Sequence, residues 1–262
     1  MQKRILKQNL IKICAGCISI FAFLVIWYVA TNGTKFGTMM PKPTTVLAGI
    51  FAAFTEDIGK YTIQQHVLIS LRRVMVAYLA ACVIGNVLGL AMARNRTVEA
   101  IFCPFYEIIR PIPPIAWISM AILWFGLDEM MKYFIIFLSA FSSITYSTFS
   151  GAQKVDPKLI GAAQMLGANS FQIFVTVILP ASIPYVFSGM QVALGTSWAT
   201  VVAAEMVRAS EGVGWVIVSG MQSNNMQQIM VGIVTIGVIG LLLTTILRKI
   251  EDLLCSWNVG GV

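Results

Sequence analysis

Two of the pairs of opposite charges that are spaced by three residues lie within or at the end of long apolar segments. Glu107 precedes Arg110 directly before a proline-rich stretch, and Glu205 precedes Arg208. Side chains three residues apart meet on one face of a helix, so each pair can form an ion pair within its own helix. Gating of a pathway, or handling of a solute, is the alternative role for the same residues. We expect ion pairing at both places.

Patterns for catalysis and metal binding are missing from the sequence. The single histidine, His66, cannot make a histidine-based metal site alone. Cys14 and Cys17 have the spacing of a redox pair or of a lipoprotein cleavage site, but no hydrophobic signal precedes them. We expect the cysteines to be small buried apolar side chains; they are Cys14, Cys17, Cys82, Cys103 and Cys255.

The sequence also lacks the groups that an energy-converting enzyme needs. No cluster of serine, cysteine or carboxylate residues looks catalytic, and no Gly-x-x-x-x-Gly-Lys-Ser/Thr loop for nucleotide phosphates occurs. We therefore predict that the chain is not an enzyme and has no catalytic residue, metal or cofactor of its own.

The composition is that of an integral membrane protein. Hydrophobic residues make up 58% of the 262 residues, charged residues only 11%, and the mean hydropathy is +0.82. A soluble domain carries about 25% charged residues. The apolar runs are long and continuous, so helices are expected rather than the alternating strands of a barrel. The net charge is +7, but the basic residues are scattered over short loops and form no patch. They are therefore interpreted as signals of membrane topology, and no nucleic-acid binding is expected.

Six apolar segments are long enough to cross a bilayer, which takes roughly 20 helical residues. They lie at about 13–30, 67–93, 101–125, 133–152, 183–207 and 229–247. The third segment is expected to be broken, because Pro111, Pro113 and Pro114 remove three backbone donors. A shorter amphipathic helix is expected between the first two segments, at the membrane surface or against the bundle. Its apolar face would comprise Val46, Leu47, Ile50, Phe51 and Phe54.

Lys and Arg residues set the expected topology. With the N-terminus inside, about twice as many basic residues fall in cytoplasmic segments as in external ones. Both ends of the chain would then be cytoplasmic. The expected divisions are the N-terminus with the first span (1–30), an external segment (31–66), a core with five spans (67–247) and a cytoplasmic tail (248–262). The loop at 156–180 would face the cytoplasm.

This loop begins with the signals of a short helix. Asp156 can cap the helix and Pro157 suits its first turn. Gly167 can adopt the left-handed conformation that ends it. Ala162 and Ala163 make the helix thin on one side, so it could sit deep in a groove on another protein. An ordinary loop with one helical turn is the alternative.

A second short helix is expected directly after the glycine turn. Asn169 or Ser170 can cap it, and it would run over 171–179. Pro180 is expected to end it. The sequence thus predicts a helix, a glycine turn and a second helix between two membrane spans.

The loop resembles the cytoplasmic signature of permease subunits of binding-protein-dependent ABC importers. The signature, Glu-Ala-Ala, three residues, Gly, and a later Ile with Leu-Pro, reads here Gly161, Ala162, Ala163, Gly167, Ile178, Leu179 and Pro180. The stretches SLRRVMVAYLAACVIGNVLGL, RPIPPIAWISMAILWFGLDE, VDPKLIGAAQMLGA and ALGTSWATVVAAEM are similar to the branch that imports sulfonates, taurine, nitrate and related solutes. The resemblance covers about 41–247. It implies an all-α, six-helix permease bundle of the type I importer kind.

In such importers the loop is a coupling helix that docks in a cleft on a cytoplasmic ATPase subunit, which uses ATP and Mg²⁺. The coupling residues implied here are Gly161, Ala162, Ala163, Leu166 and Gly167, with Leu179 and Pro180 bracing the loop. Gly161 stands where the family often has Glu, which removes a possible charged contact. A glycine there also costs up to about 1 kcal/mol of helix stability relative to Ala. We expect docking to persist, because the shape of the contact remains.

Small residues recur every four positions in the fifth span, at Gly189, Ala193 and Ser197, which lets helices approach closely. Plain bundle packing explains this stripe, and lining of a pathway at the centre of a dimer is the alternative. The residues that would line such a pathway are Trp117, Gln191, Ser197 and Trp198.

Four charged residues near the expected outer surface are candidates for contact with an external binding protein. Arg72 and Arg73 open the second span, where their long stems can also snorkel to the interface. Asp128 and Glu129 lie in the short outer loop before the fourth span.

The resemblance implies a multi-pass permease of the bacterial inner membrane that is surrounded by lipid and forms a dimer, with itself as the expected partner. Two ATPase subunits would bind inside, and an extracytoplasmic solute-binding protein would deliver the solute. The alternative is an ATP-independent secondary transporter or channel, which usually has ionisable residues buried mid-span; here most charges lie near span ends. The solute stays open among sulfonates, nitrate, bicarbonate and vitamin precursors.

Overall fold

The computed structural model describes residues 2–254, with side chains from Cys14 onward except at Phe36. The described backbone is helical apart from turns and a single bridge between Ile58 and Tyr61. The helices are α1 (Gln2–Thr31), α2 (Pro43–Ala53), α3 (Ile63–Arg94), α4 (Arg96–Ile109), α5 (Ile118–Phe125), α6 (Glu129–Gln153), α7 (Pro157–Met165), α8 (Ser170–Ile173), α9 (Leu179–Val207), α10 (Val213–Gln222) and α11 (Met226–Leu254). The predicted all-α class is confirmed. Cys255 and the rest of the predicted tail beyond Leu254 lie outside the described residues.

Five helical segments are long and apolar enough to cross a membrane. They are Cys14–Thr31, Ile63–Arg94, Glu129–Gln153, Ser170–Val207 and Met226–Leu254. A sixth is obtained when α4 and Pro114–Phe125 are counted as one span, although the two parts are bent by 88°. The bend falls at the three prolines that predicted a broken span. The expected number of spans is therefore met when the bent pair counts as one.

The structure divides into two compact units, of which the first combines the chain up to Gln64 with Val216–Val234. Here α2 packs through Val46, Gly49 and Ala53. The close approach needs a glycine, because a Cβ at position 49 would meet the side chains of Gln227 and Val231. The Gln227 side chain also donates a hydrogen bond to the Thr45 carbonyl, at 3.0 Å.

The predicted apolar face of α2 is wrong in part. Val46 is buried as expected, but Leu47, Phe51 and Phe54 are exposed. This short helix is apolar nearly all round, so the apolar period alone does not identify its packed side.

The second unit comprises Gln65–Trp215 and the segment from Thr235 onward. Its apolar core lies between α3, α6 and α9, and includes Val74, Ala81, Ile136, Ile144, Leu194 and Val201. Small residues let these helices approach closely. A Cβ at Gly189 would clash with Ser147, and one at Gly151 would clash with Tyr185. The small-residue stripe of the fifth span therefore serves packing.

Cysteine burial differs from the expectation. Cys82 is buried in the core of the second unit, and Cys103 is half-buried. Cys14 and Cys17 are exposed on α1. A thiol tolerates a lipid-facing helix surface because it is a small, weakly polar group.

The predicted helix end at Pro180 is wrong. The chain is helical without interruption over Ser170–Val207, and residues Phe174–Ile178 form a π-helical turn that ends two positions before Pro180. The Leu179 N–H bonds to the Phe174 carbonyl, five residues earlier. This wider turn changes the hydrogen-bond register where Pro180 has no N–H to donate, so the helix continues.

The short helix α10 was not anticipated from the sequence. It has ten residues, and Gly214 and Gly220 lie within it. Gly212 precedes it with φ +107°, a conformation that favours glycine. The start of α10 belongs to the second unit, where it contributes to the charge cluster described below.

Candidate functional site

Residues 156–173 comprise α7 with its cap, a glycine turn and α8, and we call this segment the elbow. The Asp156 carboxylate accepts a hydrogen bond from the Lys158 N–H at 2.9 Å, and Pro157 is the first residue of α7. At the other end, Gly167 has φ +82° and donates to the Gln164 carbonyl at 2.9 Å. Ala168 N–H donates to the Ala163 carbonyl at 3.0 Å. These two bonds form a Schellman motif, which confirms the predicted glycine turn.

The second arm of the elbow is capped by Asn169. Its side chain accepts from the Gln172 N–H at 2.9 Å, while the Gln172 side chain accepts from the Asn169 N–H at 2.8 Å. This capping box resolves the choice between Asn169 and Ser170 in favour of Asn169. Arg94, at the end of α3, lies over the rings of Phe171 and Phe174 at 5.6 and 5.1 Å. No spacing rule predicts this contact, because Arg94 lies more than 70 positions before the two rings.

The tip of the elbow exposes apolar side chains. Met165 is 91% exposed and Leu166 is 89% exposed, and no residue of α7 is buried. A Cβ at Gly161 would meet no atom within 4 Å. The candidate residues Gly161, Ala162, Ala163, Leu166 and Gly167 therefore all belong to one short segment in which none is buried and the backbone bonds are well defined. Leu179 and Pro180 lie apart from this surface, in the continuous helix that follows.

A cleft of about 570 Å³ lies between the end of α4, the α4–α5 connection, α6 and α9. Its lining is rich in hydroxyl groups, from Tyr106, Ser139, Ser142, Ser143, Tyr146, Ser147, Thr196 and Thr200. Arg110 contributes a positive charge, and its guanidinium lies 3.7 Å from the centre of the Tyr146 ring. Tyr106 donates to the Ser142 carbonyl, which joins α4 to α6.

The four residues proposed to line a pathway do not line this cleft. Trp198 is buried and donates its indole N–H to the Ile236 carbonyl at 3.0 Å. Gln191 donates to Glu251 at 2.6 Å, and Ser197 is fully buried. Trp117 lies in the turn Pro114–Trp117, outside the lining.

The cleft instead uses the neighbouring face of α9. That face carries Val192, Thr196, Ala199, Thr200 and Ala203. Thr196 and Thr200 are four residues apart and therefore share one face of α9, which is the sequence signal that would have identified this face.

Arg110 does not pair with Glu107, so the predicted ion pair is wrong. The ion pairs among the described residues do not include one between Glu107 and Arg110. The Arg110 guanidinium lies over the Tyr146 ring instead. Glu107 lies near the Cys103 sulfur, at 3.7 Å. The proline-rich bend directs Arg110 toward α6 rather than back along α4.

A second cluster of charges is centred on Arg73, which is fully buried. Its guanidinium binds Glu129 through two bonds of 2.6 and 2.8 Å and binds Glu205 at 2.8 Å. It also contacts the side chain and the carbonyl of Glu211, at 3.2 and 3.1 Å. We call Arg73, Glu129, Glu205 and Glu211 the charge cluster. It joins α3, α6, α9 and the loop before α10.

The charge cluster corrects three expectations. Glu205 pairs with Arg73 and not with Arg208, which is exposed. Arg73 does not snorkel, although Arg72 next to it is exposed. Glu129 is bound by Arg73 and by Lys132, so its carboxylate is not a free docking group. Asp128 is exposed, as a docking residue requires.

The carboxylate of Glu205 also fixes the start of α10. It accepts bonds from the Ser70 hydroxyl at 2.8 Å and from the Gly214 N–H at 2.9 Å. The Val213 N–H donates to the Ser70 hydroxyl, and the Gly212 N–H donates to His66 Nδ1, both at 3.0 Å. His66 is thus a buried hydrogen-bond acceptor. Within the described part of the chain, no three His, Cys, Asp or Glu side chains are placed to hold a metal ion.

Comparison with known proteins identifies relatives over most of the chain. Residues 85–254 match the family model of the "Binding-protein-dependent transport system inner membrane component". The chain is 34% identical over 235 residues to the taurine transport system permease protein TauC of Escherichia coli, covering 89% of this chain and 86% of that protein. It is 30% identical over 247 residues to the nitrate import permease protein NrtB of Synechocystis sp., covering 92% and 89%.

The fold also has a counterpart among solved structures. A chain of the MetNI methionine ABC transporter, in an inward-facing conformation, superposes with a TM-score of 0.55. The identity is 22%, and the match covers 71% of this chain and 90% of that chain. This chain therefore belongs to the family of inner-membrane components of binding-protein-dependent transport systems, as the permease subunit of an ABC importer whose ATP is hydrolysed by a partner subunit.

Proposed function

We propose that the elbow is the surface through which a cytoplasmic ATPase subunit drives this permease. The observation that carries the proposal is the exposure of Met165 and Leu166, at 91% and 89%. Apolar side chains so exposed, outside the membrane-spanning segments, favour contact with another protein. The bonds at both ends of the elbow support the same role, because a lever must hold its shape to transmit movement.

The proposed topology places both termini and the elbow in the cytoplasm. The excess of Lys and Arg in those segments supports this orientation. In this topology, residues 1–30 contain the cytoplasmic N-terminus and the first span, and residues 31–66 form the external segment. Residues 67–247 form the permease core, and residues 248–262 form the cytoplasmic tail. A solute-binding protein would dock on the external side, where Asp128 is exposed.

We further propose that the solute is a small oxyanion, such as an organic sulfonate or nitrate. Similarity to a taurine permease and to a nitrate permease supports this class. Two copies of this chain would enclose the pathway within the lipid bilayer. The exposed position of Val192 on the cleft side of α9 supports contact with a second copy.

Reconstitution with the ATPase and the binding protein in proteoliposomes tests this function. ATP-dependent uptake is expected. Gly167→Pro removes the N–H used in the Schellman motif and cannot adopt a positive φ, so it should abolish coupled uptake while ATP hydrolysis continues. Gly167→Asn tolerates the left-handed conformation and should retain uptake. Ala163→Glu adds a bulky charge to the docking surface and should also uncouple, whereas Ala163→Ser should not.

Two results would refute the proposal. Unchanged coupled uptake in both Gly167→Pro and Ala163→Glu would show that the elbow is not the coupling surface. Uptake that proceeds without ATP would favour a secondary transporter or channel instead.

A further inference from the structure

The cleft between α4, α6 and α9 has a distinct chemical character. Arg110 is the charged residue of its lining, and no carboxylate lines it. The remaining polar side chains there all carry hydroxyl groups. A positive charge surrounded by neutral hydrogen-bond donors, without competing carboxylates, is suited to an anion.

Arg110 is held in place but its charge is not neutralised. Its guanidinium lies over the Tyr146 ring, at 3.7 Å from the ring centre. Among the described side chains it forms no ion pair, whereas Arg73 contacts three carboxylates. A guanidinium stacked through its face keeps the N–H groups at its edge available for a bidentate contact with an oxyanion.

The hydroxyl groups differ in whether their protons are already used. Thr196 donates to the Ala193 carbonyl at 3.1 Å, and Thr200 donates to the Thr196 carbonyl at 2.7 Å. By contrast, no hydrogen bond of the Ser143, Tyr146 or Ser147 hydroxyl occurs within the described residues. These three residues are spaced by three and four positions, so they share one face of α6.

We propose that Arg110, with the free hydroxyls of Ser143, Tyr146 and Ser147, forms an oxyanion-binding site within the permease. This proposal rests on the proposed function, in which the solute passes through this part of the bundle. The site would hold the sulfonate group of an organic sulfonate or a nitrate ion while the solute crosses. The apolar remainder of the lining, which includes Leu138 and Val192, would accommodate an alkyl part.

Thiol labelling tests the site without knowledge of the transported solute. Ser143→Cys places a thiol in the cleft of the full complex. The rate at which this thiol is modified is measured with two methanethiosulfonate reagents, one carrying an anionic sulfonate and one a cationic ammonium group. The same chain with Ser143 intact gives the background rate of the native cysteines. A single unpaired cation should favour the anionic reagent. Adding Arg110→Gln should lower the ratio of the two rates by about tenfold, and Arg110→Lys should largely preserve it.

Arg208→Gln is the matched control, because Arg208 is exposed and does not line the cleft; it should leave the ratio unchanged. An unchanged ratio with Arg110→Gln, or no reaction of the introduced thiol with either reagent, would overturn the anion site.

Uptake assays then distinguish the two solute sources. ATP-dependent uptake of taurine and of nitrate is measured separately in the complex with Arg110 and with Arg110→Gln. The solute that uses the site should lose at least about tenfold in uptake rate, while ATP hydrolysis is retained. If the unaltered complex takes up neither taurine nor nitrate, the proposed function is contradicted. If Arg110→Gln leaves the uptake of both solutes unchanged, only the anion site is contradicted.

Discussion

Replacement of Arg73 by methionine should destabilise the permease more than almost any other single change. Arg73→Met leaves the carboxylate of Glu205 with 0% of its side chain exposed and without its positive partner. Glu129 and Glu211 lose contacts at the same time. Removal of one partner from a buried ion pair costs about 3–5 kcal/mol, because the remaining charge is buried without compensation.

Thermal unfolding of the purified protein in detergent measures this loss. At about 2–4 °C per kcal/mol for chains of comparable length, Tm should fall by roughly 10 °C. Arg72→Met is the matched control, because Arg72 is the exposed neighbour in the same helix; its effect should stay within about 0.5 kcal/mol. Adding Glu205→Gln to Arg73→Met removes the unpaired charge and should restore part of the lost stability.

The reasoning would be refuted if Arg73→Met and Arg72→Met lowered Tm equally. The loss of stability caused by Glu205→Gln alone is the reference for the second test. The reasoning would also be refuted if Glu205→Gln lowered stability by that same amount when Arg73→Met is already present. Either outcome would mean that Arg73 and Glu205 act independently, and that the charge cluster does not hold α3, α9 and the start of α10 together.

Two further changes test local geometry. Gly212→Ala should destabilise by about 2 kcal/mol or more, because φ is +107° and a Cβ would overlap the carboxylate of Glu205. Gly237→Ala in α11 has open space and should be neutral or slightly stabilising in the same melt; equal losses would contradict the account. Asn169→Ala removes the cap of the second elbow arm, worth about 1 kcal/mol, and should reduce solute transported per ATP by up to about fivefold. Ser170→Ala should leave that ratio unchanged. If Ser170→Ala reduced the ratio more than Asn169→Ala does, Ser170 and not Asn169 would be the cap.

The sequence predicts the elbow well because its signals are local. Asp156, Gly167 and Asn169 each act on backbone groups within five residues. Such capping chemistry depends little on the rest of the fold. The spans are predictable for a related reason, since the thickness of the bilayer sets their length.

The partners of the charged residues could not be predicted in this way. Arg73 and Glu205 are 132 positions apart in the chain, and their contact depends on how three helices pack. Spacing by three residues suggested Arg208 as the partner, but the end of α9 places the two side chains differently. Long-range packing overrides a local pair that is worth only about 0.2–0.5 kcal/mol.

The packed faces of the membrane helices were also hidden. In water, an apolar stripe marks the side of a helix that is buried; in lipid, both sides are apolar. Trp198, which we expected to line a pathway, lies in the core, whereas Thr196 and Thr200 line the cleft. The π-helical turn before Pro180 could not be predicted, because hydrogen bonds between residues five positions apart have no clear sequence signature.

Crosslinking of the elbow to the ATPase tests the central claim most directly. Leu166→Cys carries an exposed site at the tip of the elbow, and Met39→Cys carries a control site that is 72% exposed in the proposed external segment. In the assembled complex, a short bifunctional thiol reagent should join residue 166 to the ATPase subunit, in a yield that changes when nucleotide binds. The control position should not crosslink to that subunit. A residue 166 that reacts only from the external side of the membrane, or that never crosslinks to the ATPase, would contradict the account.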